Sequence, residues 1–580
     1  MNSLRRVFSF LLPYRKWLAL ALLATVLFTG LNLLSPLLMQ KLMDDVVGPE
    51  RWGLLLPITV AIFLAPALAA VVRLVNVWMA MRVGQRTIAD IRMAMYEKIM
   101  SLQMQYHSEH SSGAVVARLM DDVNRIQRLL TAETVRIIVD AIVFFFSFGY
   151  VFYISWRLGL AMVVFVTLYV LGYRFFSRRI HSATTEFRDM YDQIAGRLSE
   201  TIAGVRQVRI FNQETRETEV FLDRTQQSLD SELASKMGSV SLGVFCHGVS
   251  GIGSTVIVTI AAILVIQEQL TLGQLLAVNM YIWMAMKPAL SLTQIVGELT
   301  ETSVSVERIA EVLEEDVKVA SEPEAPLLKR RQGAVEFREV CFRYEPDTPL
   351  YEGLSLKIEP GQMVALVGPT GCGKTTFTAL LMRDWDVDEG AILIDGVDIR
   401  SVDLKSLRKQ FGVVLQKPVL FEGTLAENIA YGRTDATREQ VIEAAKVAEI
   451  YELAMDMPDG FDTVLGTEGV QLSVGERQRV SIARAVLKDP MILIMDEATS
   501  SLDSRSEMLI QRALHRVLEG RTSIVVAHRL STIVRADKIV AMRDGTVIEE
   551  GTHEQLLKIE NGLYRRLYEE MLGREEGGRA

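Results

Sequence analysis

Cysteine is nearly absent: Cys246, Cys341 and Cys372 are all that 580 residues contain. An odd number at such wide spacing excludes a disulfide framework and offers no metal-ligand pattern, so three free thiols are expected. Positive charge is also short. Lys and Arg number 62 against 71 Asp and Glu, a formal net charge of −9, and a chain built to neutralise nucleic-acid phosphates needs the opposite balance. No nucleic-acid partner is expected. A small-residue cleavage pattern is missing too: Arg5, Arg6, Arg15 and Lys16 precede an apolar stretch, 17–39, that is long enough to span a bilayer and reads as a retained helix rather than a removed leader.

What is present is unevenly distributed. The length exceeds what one core supports, and the apolar residues, 49% of the chain, concentrate in the first half. A bilayer core needs about 20 apolar helical residues, and six stretches meet that: 17–39, 53–79, 134–156, 158–178, 240–267 and 273–297. The connection at Trp156-Arg157 leaves room only for a very short turn. Basic residues flank one set of span ends (Arg5, Arg6, Arg15 and Lys16; Arg82, Arg86, Arg92 and Lys98; Arg174, Arg178 and Arg179), whereas the opposite connections near Asp44-Asp45, Trp156-Arg157 and Gln267-Glu268-Gln269 are short and poor in them. That asymmetry puts both termini in the cytoplasm. The long polar segments after spans two and four keep helical periodicity, and they extend the membrane helices into the cytoplasm with bends near Ser111-Ser112-Gly113 and Phe211-Asn212-Gln213-Glu214. An acidic, then Pro- and Lys/Arg-rich stretch reads as a linker. The expected division is a helical membrane domain 1–310, a linker 311–332, an α/β domain 333–572 and a disordered tail 573–580.

The second half is anchored by Gly368-Pro369-Thr370-Gly371-Cys372-Gly373-Lys374-Thr375-Thr376, a G-x-x-x-x-G-K-[ST] loop. It follows the apolar run Met363–Val367 and precedes a helical run, so it reads as strand, loop and helix. Glycines let backbone N–H groups approach phosphate oxygens at a helix N-terminus. Lys374 adds a point charge for the outer phosphates, and the Thr375 hydroxyl is placed to ligate Mg²⁺. About 120 residues on, the apolar run Met491–Met495 ends in Asp496-Glu497. A buried strand ending in Asp suits Mg²⁺, and the adjoining Glu suits polarisation of an attacking water.

Leu472-Ser473-Val474-Gly475-Glu476-Arg477-Gln478-Arg479 resembles the signature of the ATP-binding cassette (ABC) family. Gln416, Ser501-Leu502-Asp503 and Val526-Ala527-His528-Arg529 resemble its Q-, D- and H-loops, and Tyr344 stands where the family stacks an aromatic on adenine. The whole chain is similar to bacterial exporter-type half-transporters, a group that includes the lipid A flippase and multidrug exporters. The resemblance implies ATP and Mg²⁺ as cofactors, with an α-helical membrane domain of six spans followed by an α/β P-loop NTPase. It implies that Lys374 and the loop amides hold phosphates; that Thr375, Gln416 and Asp496 organise Mg²⁺; that Glu497 is the base; that His528 touches the γ-phosphate; and that Ser473 and Gly475 cap ATP bound to a second chain, with Asp503 beside them. Val474 and Glu476 depart from the family's usual Gly and Gln. Because one chain has one loop and one signature, a dimer is implied, a homodimer before a heterodimer, in the bacterial inner membrane.

Three cations lie within the spans: Arg73, Arg136 and Lys287. Charge inside a bilayer is costly and by default functional, and at about 1.5 Å per residue all three fall in the cytoplasmic half. The flippase carries basic residues at similar places, which implies an anionic amphiphile drawn from membrane lipids as cargo. Other readings stay open. Arg136 and Asp140 are four apart and placed to pair, Arg73 and Lys287 can snorkel, and the cargo is then a hydrophobic drug or a peptide. No processing domain ahead of the first span marks a peptide substrate. An ATP-gated channel is the least favoured reading, given Glu497.

Overall fold

The computed structural model describes residues 2–128, 134–416, 418–466, 469–496, 504–526 and 529–577, with backbone alone at 2–5, 128, 134–136, 181, 188, 192, 287–301, 303 and 574–577. Two compact units emerge: Met1–Ser101 with His110–Glu315, and Leu102–Glu109 with Asp316–Ala580.

The first unit is all helix. A short amphipathic helix α1 (Asn2–Ser9) precedes α2 (Arg15–Lys41), α3 (Trp52–Ser101), α4 (Thr134–Ile154), α5 (Trp156–Ala203), α6 (Val205–Ile210), α7 (Glu214–Ile266) and α8 (Leu272–Glu314). Helices α3, α5 and α7 run 50, 48 and 53 residues, so at 1.5 Å per residue each far outreaches a bilayer core. This is the continuation of spans into long polar helices that the periodicity indicated. Five helices among the described residues are long and apolar enough to cross a membrane. In α8 the apolar stretch within the described side chains is the shorter Leu272–Met286. Only Ser155, in extended conformation, separates α4 from α5.

Association between helices in lipid depends on close packing and polar contacts rather than on expelling water, and both are evident. Buried Asn76 of α3 donates to Thr25 of α2 at 2.7 Å. Buried Tyr281 of α8 donates to the Leu33 carbonyl of α2 at 2.6 Å, and Tyr150 of α4 hydrogen-bonds Gln40. Phe165 of α5 lies against Gly253 of α7, where a Cβ would sit 2.8 Å from its ring. At the opposite end from the basic residues, Asp44 accepts the Thr271 hydroxyl at 2.7 Å and the Gly273 N–H at 3.0 Å. The carboxylate thereby satisfies a free donor in the first turn of α8.

The second unit carries strands β1 (Val335–Glu345), β2 (Thr348–Ile358), β3 (Met363–Val367), β4 (Glu389–Ile394), β5 (Val397–Asp398), β6 (Phe411–Val414), β7 (Gly423–Thr424), β8 (Val464–Leu465), β9 (Ile492–Asp496), β10 (Thr522–Val526), β11 (Lys538–Arg543) and β12 (Thr546–Gly551). One sheet has the order β2-β1-β4-β5 and another β12-β11-β3-β10-β9-β6. Strands β6, β9, β10, β3 and β11 are mutually parallel, which explains their nearly unbroken apolar sequences: both faces are covered. Helix α9 (Lys374–Leu381) packs between the sheets, with Phe377 stacked on Phe337 at 4.0 Å. Burial of one such ring contributes about 2–3 kcal/mol. On the other face lies α10 (Val474–Lys488), whose Val480, Ile482 and Ala483 are fully buried.

Two boundaries differ from the sequence reading. Helix α8 continues to Glu314, past the start of the expected linker at 311, and residues 316–334 are not a free tether. Leu328 is buried and its N–H reaches Ser406 at 2.9 Å. The Ala320 carbonyl accepts from buried Arg383 at 3.1 Å, and Asp395 takes the N–H groups of Gly333 and Ala334. The segment is polar because it satisfies backbone groups across the domain surface. At the other end, a helix runs Leu563–Gly577, where disorder was expected from Gly573; 578–580 lie outside the described residues. Glu- and Arg-rich composition favours helix as readily as disorder, and Arg565 pairs with Glu569 four residues on.

Arg330 of this strap pairs with Asp489 at 2.7 Å, and Arg521 reaches the same carboxylate at 2.9 Å. Asp489 closes the C-terminus of α10 in left-handed conformation. The Arg330 hydrogen bond, helped by Arg521, holds its carboxyl below the usual range. A depressed carboxyl contributes stability above its unfolded pKa, near 4, and loses it as pH falls through the folded value. Asp489→Asn is expected to lower the thermal midpoint of the protein slightly at pH 7, by an amount typical of exposed pairs, about 0.5–1 kcal/mol. The difference should shrink as pH falls below the ordinary carboxylate range and vanish once the carboxyl is protonated in the folded protein as well. Melting curves across pH and salt check this.

Candidate nucleotide site

The parallel sheet assembles the site by register. Val526 of β10 pairs with Leu366 of β3 and with Asp496 of β9, while Val414 of β6 pairs with Met495. The strands therefore end side by side at one edge. The phosphate loop follows β3, Asp496 ends β9, and Gln416 lies two residues beyond β6, exposed. Ligand sites of open parallel sheets sit at these carboxyl ends. Glu497, Ser501, Leu502, Asp503, Ala527 and His528 lie outside the described residues.

Within the loop, Gly371 and Gly373 have φ of +86° and +108°, values that glycine adopts without strain. At Gly373 a Cβ would come within 2.8 Å of the Tyr351 hydroxyl. That hydroxyl donates to the Gly373 carbonyl at 2.6 Å, and burial pushes the phenol well above its ordinary range. It stays a donor and fixes the loop where it enters α9. Lys374, 7% exposed, donates to the carbonyls of Gly368 at 2.8 Å and Pro369 at 3.0 Å. The ammonium is held across the loop it is meant to serve. Thr375 is exposed in the first turn of α9, whereas Thr376 is buried and bonds the Tyr344 hydroxyl at 2.9 Å. Tyr344 is 45% exposed and stands edge-on to Trp385 at 5.0 Å and to Phe342 at 4.9 Å. Tyr351, Trp385 and Arg383 were not singled out from sequence. Tyr351 lies 22 residues from Gly373, and no local pattern marks it.

The Ser473 hydroxyl accepts the Glu476 N–H at 3.4 Å and the Glu476 carboxylate accepts the Ser473 N–H at 2.7 Å, a capping box at the start of α10. Glutamate and glutamine both close such a box, so Glu476 leaves the helix start intact. Gly475 is buried and Val474 is 41% exposed.

Cys372 is 3% exposed, with its sulfur 3.7 Å from the Lys374 ammonium; all three cysteines are free, as expected. A bulky adduct on Cys372 has no room without displacing the loop. Alkylation is expected to abolish ATP binding, ATP to protect, and Cys372→Ser to be insensitive. Equal inhibition of the Ser variant, read by nucleotide-binding fluorescence, contradicts this.

Of the span cations, Arg73 is exposed, its guanidinium 5.7 Å from the Phe28 ring centroid. The side chains of Arg136 and Lys287 lie outside those described.

A phosphate loop, an acid-ended strand and a capped signature helix on one parallel sheet, joined in one chain to membrane-length helices, define an ATP-dependent membrane transporter. Residues 18–288 match the ABC transporter transmembrane region and 351–500 the ABC transporter domain. YgaD of Bacillus subtilis (strain 168), which bears the name of a multidrug export ATP-binding/permease protein, is 34% identical over 98% of this chain and 99% of its own. The ATP-dependent lipid A-core flippase of Syntrophus aciditrophicus (strain SB) is 34% identical over 100% of this chain and 96% of its own. A solved structure of a bacterial Atm1-family ABC exporter with ATP bound superposes with a TM-score of 0.79 at 30% identity, covering 97% of this chain and 98% of that one. The chain belongs to the ABC transporter family. It is a multi-pass membrane protein of the exporter type that binds and hydrolyses ATP.

Proposed function

We propose that two copies of this chain form a homodimeric exporter in the bacterial inner membrane that moves an anionic amphiphile, a lipid or lipid-linked molecule, out of the cytoplasmic leaflet. One observation carries the dimer: the chain has a single phosphate loop and a single signature. The loop fits a nucleotide, since its glycines are left-handed and the buried Lys374 ammonium already sits between backbone carbonyls. Thr375, Asp496 and Gln416, all near strand ends of one sheet, fit a hard cation such as Mg²⁺. Bound Mg²⁺–ATP supplies the phosphoanhydride whose cleavage drives the cycle.

Lys374 and the loop amides hold the outer phosphates, Tyr344 supports the adenine, Glu497 takes the proton of the attacking water, and His528 orients the γ-phosphate. Ser473 and Gly475 of the second copy, with Asp503, close over the nucleotide. Six spans per chain then give twelve in the dimer. ATP-driven closure turns the membrane cavity outward, and hydrolysis resets it. The cargo reading draws on two kinds of support, the flippase relatives and the cations Arg73, Arg136 and Lys287.

The test is the ATPase activity of the purified chain against anionic and zwitterionic amphiphiles, drugs and peptides. Selective stimulation by anionic amphiphiles, weakened in an Arg73→Ala/Lys287→Ala variant, supports the reading. Equal stimulation by both lipid types, unchanged by the substitutions, favours the multidrug cargo in YgaD's name.

A further inference from the structure

A second charged and aromatic cluster takes no part in ATP chemistry. Trp17 begins the first span and Trp78 closes the second, so both stand at the membrane boundary that the flanking basic residues mark as cytoplasmic. Their rings meet edge to face at 6.5 Å, yet they remain 39% and 51% exposed. The Arg82 guanidinium lies over both, 5.1 Å from the Trp78 centroid and 5.9 Å from that of Trp17. No carboxylate pairs with Arg82 among the described residues.

Trp78, Arg82, Arg86 and Asp90 follow one another at four-residue spacing and share one face of α3. Asp90, the one acid of this face, accepts the Tyr14 hydroxyl at 2.8 Å. Arg15 and Lys16 are exposed at the start of α2. Arg82 and Arg86 of α3 and Arg15 and Lys16 at the start of α2 are thus exposed within a few residues of the paired indoles, and the Asp90 carboxylate on the same face of α3 is already engaged. A guanidinium held over indoles by cation–π attraction makes no hydrogen bond through that contact, so its N–H groups remain for a phosphate to accept. One turn toward the membrane interior, Leu20 and Leu74 stay 48% and 71% exposed, an apolar wall of the kind acyl chains cover.

We propose that this exposed surface where α2 meets α3, built on Trp17, Trp78 and Arg82 with Arg15, Lys16 and Arg86, holds the headgroup phosphate of an anionic phospholipid of the cytoplasmic leaflet as a resident lipid that is not transported. The combination of cations, boundary indoles and an apolar wall selects a lipid over a soluble phosphate. The inference is independent of the cargo, because its test requires no transport.

Full-length protein is reconstituted in bilayers of phosphatidylcholine with phosphatidylglycerol, and lipids retained after extraction are counted by native mass spectrometry. The wild type should retain phosphatidylglycerol preferentially. Arg82→Gln should lower the preference about fivefold, the effect of one surface cation on an anionic lipid, and Arg82→Gln/Arg86→Gln should bring it near parity. Arg82→Lys keeps the charge and loses the planar fork, and should fall between. Arg178→Gln/Arg179→Gln, which removes two cations elsewhere on the same side, should leave the preference unchanged. The proposal is overturned if Arg82→Gln retains lipid as the wild type does, if the Arg178/Arg179 variant loses as much, or if inorganic phosphate displaces the lipid. Arg82→Lys, the gentlest change, keeps the test decisive should the double variant fail to fold.

Discussion

Glu497→Gln will bind ATP as the wild type does and hydrolyse it at least ~100-fold more slowly, the usual contribution of a positioned general base. Asp496 is the last residue of β9, flanked by β10 and β6, at the edge where the phosphate loop and Gln416 also emerge, and Glu497 is its neighbour in sequence. An amide there retains size and hydrogen bonding but cannot accept a proton at neutral pH. If hydrolysis is the step that reopens the dimer, the variant should also accumulate as an ATP-bound closed species, resolvable by size and by cross-linking. Single-turnover hydrolysis by the purified variant at the wild-type rate would remove Glu497 from this role.

Gly373→Ala will weaken ATP binding by about tenfold or more. A residue with a Cβ is strained by roughly 1–2 kcal/mol in the left-handed region, where Gly373 sits at φ +108°. The added methyl would also meet the Tyr351 hydroxyl at 2.8 Å and its ring at 2.9 Å. Tyr351 has no room to retreat, being 1% exposed. The loop must shift instead, and with it the N–H groups and the Lys374 stem that follow. Tyr351→Phe, which removes one hydrogen bond and keeps the ring, should cost only about 1 kcal/mol of stability and leave affinity within a fewfold. Titration with a fluorescent nucleotide distinguishes the two, and equal affinities for Gly373→Ala and wild type would show that the loop tolerates the methyl.

The chemistry of the site was more legible than its support. The phosphate loop, Asp496 and the signature stretch Leu472–Arg479 are local patterns, each contained in a few consecutive residues, and the membrane helices follow from length and polarity alone. Contacts that join distant parts of the chain leave no such trace. Tyr351 reaches Gly373 from another sheet; Arg330 reaches Asp489 across 159 positions; Asp44 reaches Gly273 across 229. The strap misleads for the same reason: Pro, Lys and Arg residues suit a free linker and also suit a segment whose partners are side chains of a folded surface.

The most direct measurement of the account is vectorial movement of an anionic fluorescent amphiphile in liposomes carrying only this chain, with Mg²⁺–ATP supplied on the side of the ATP-binding domains. Accumulation against the amphiphile's gradient is predicted, abolished by Glu497→Gln and faster than for a zwitterionic analogue of equal chain length. Movement that only equilibrates the two sides, opened by ATP binding and undiminished in Glu497→Gln, would contradict export and identify a gated pathway.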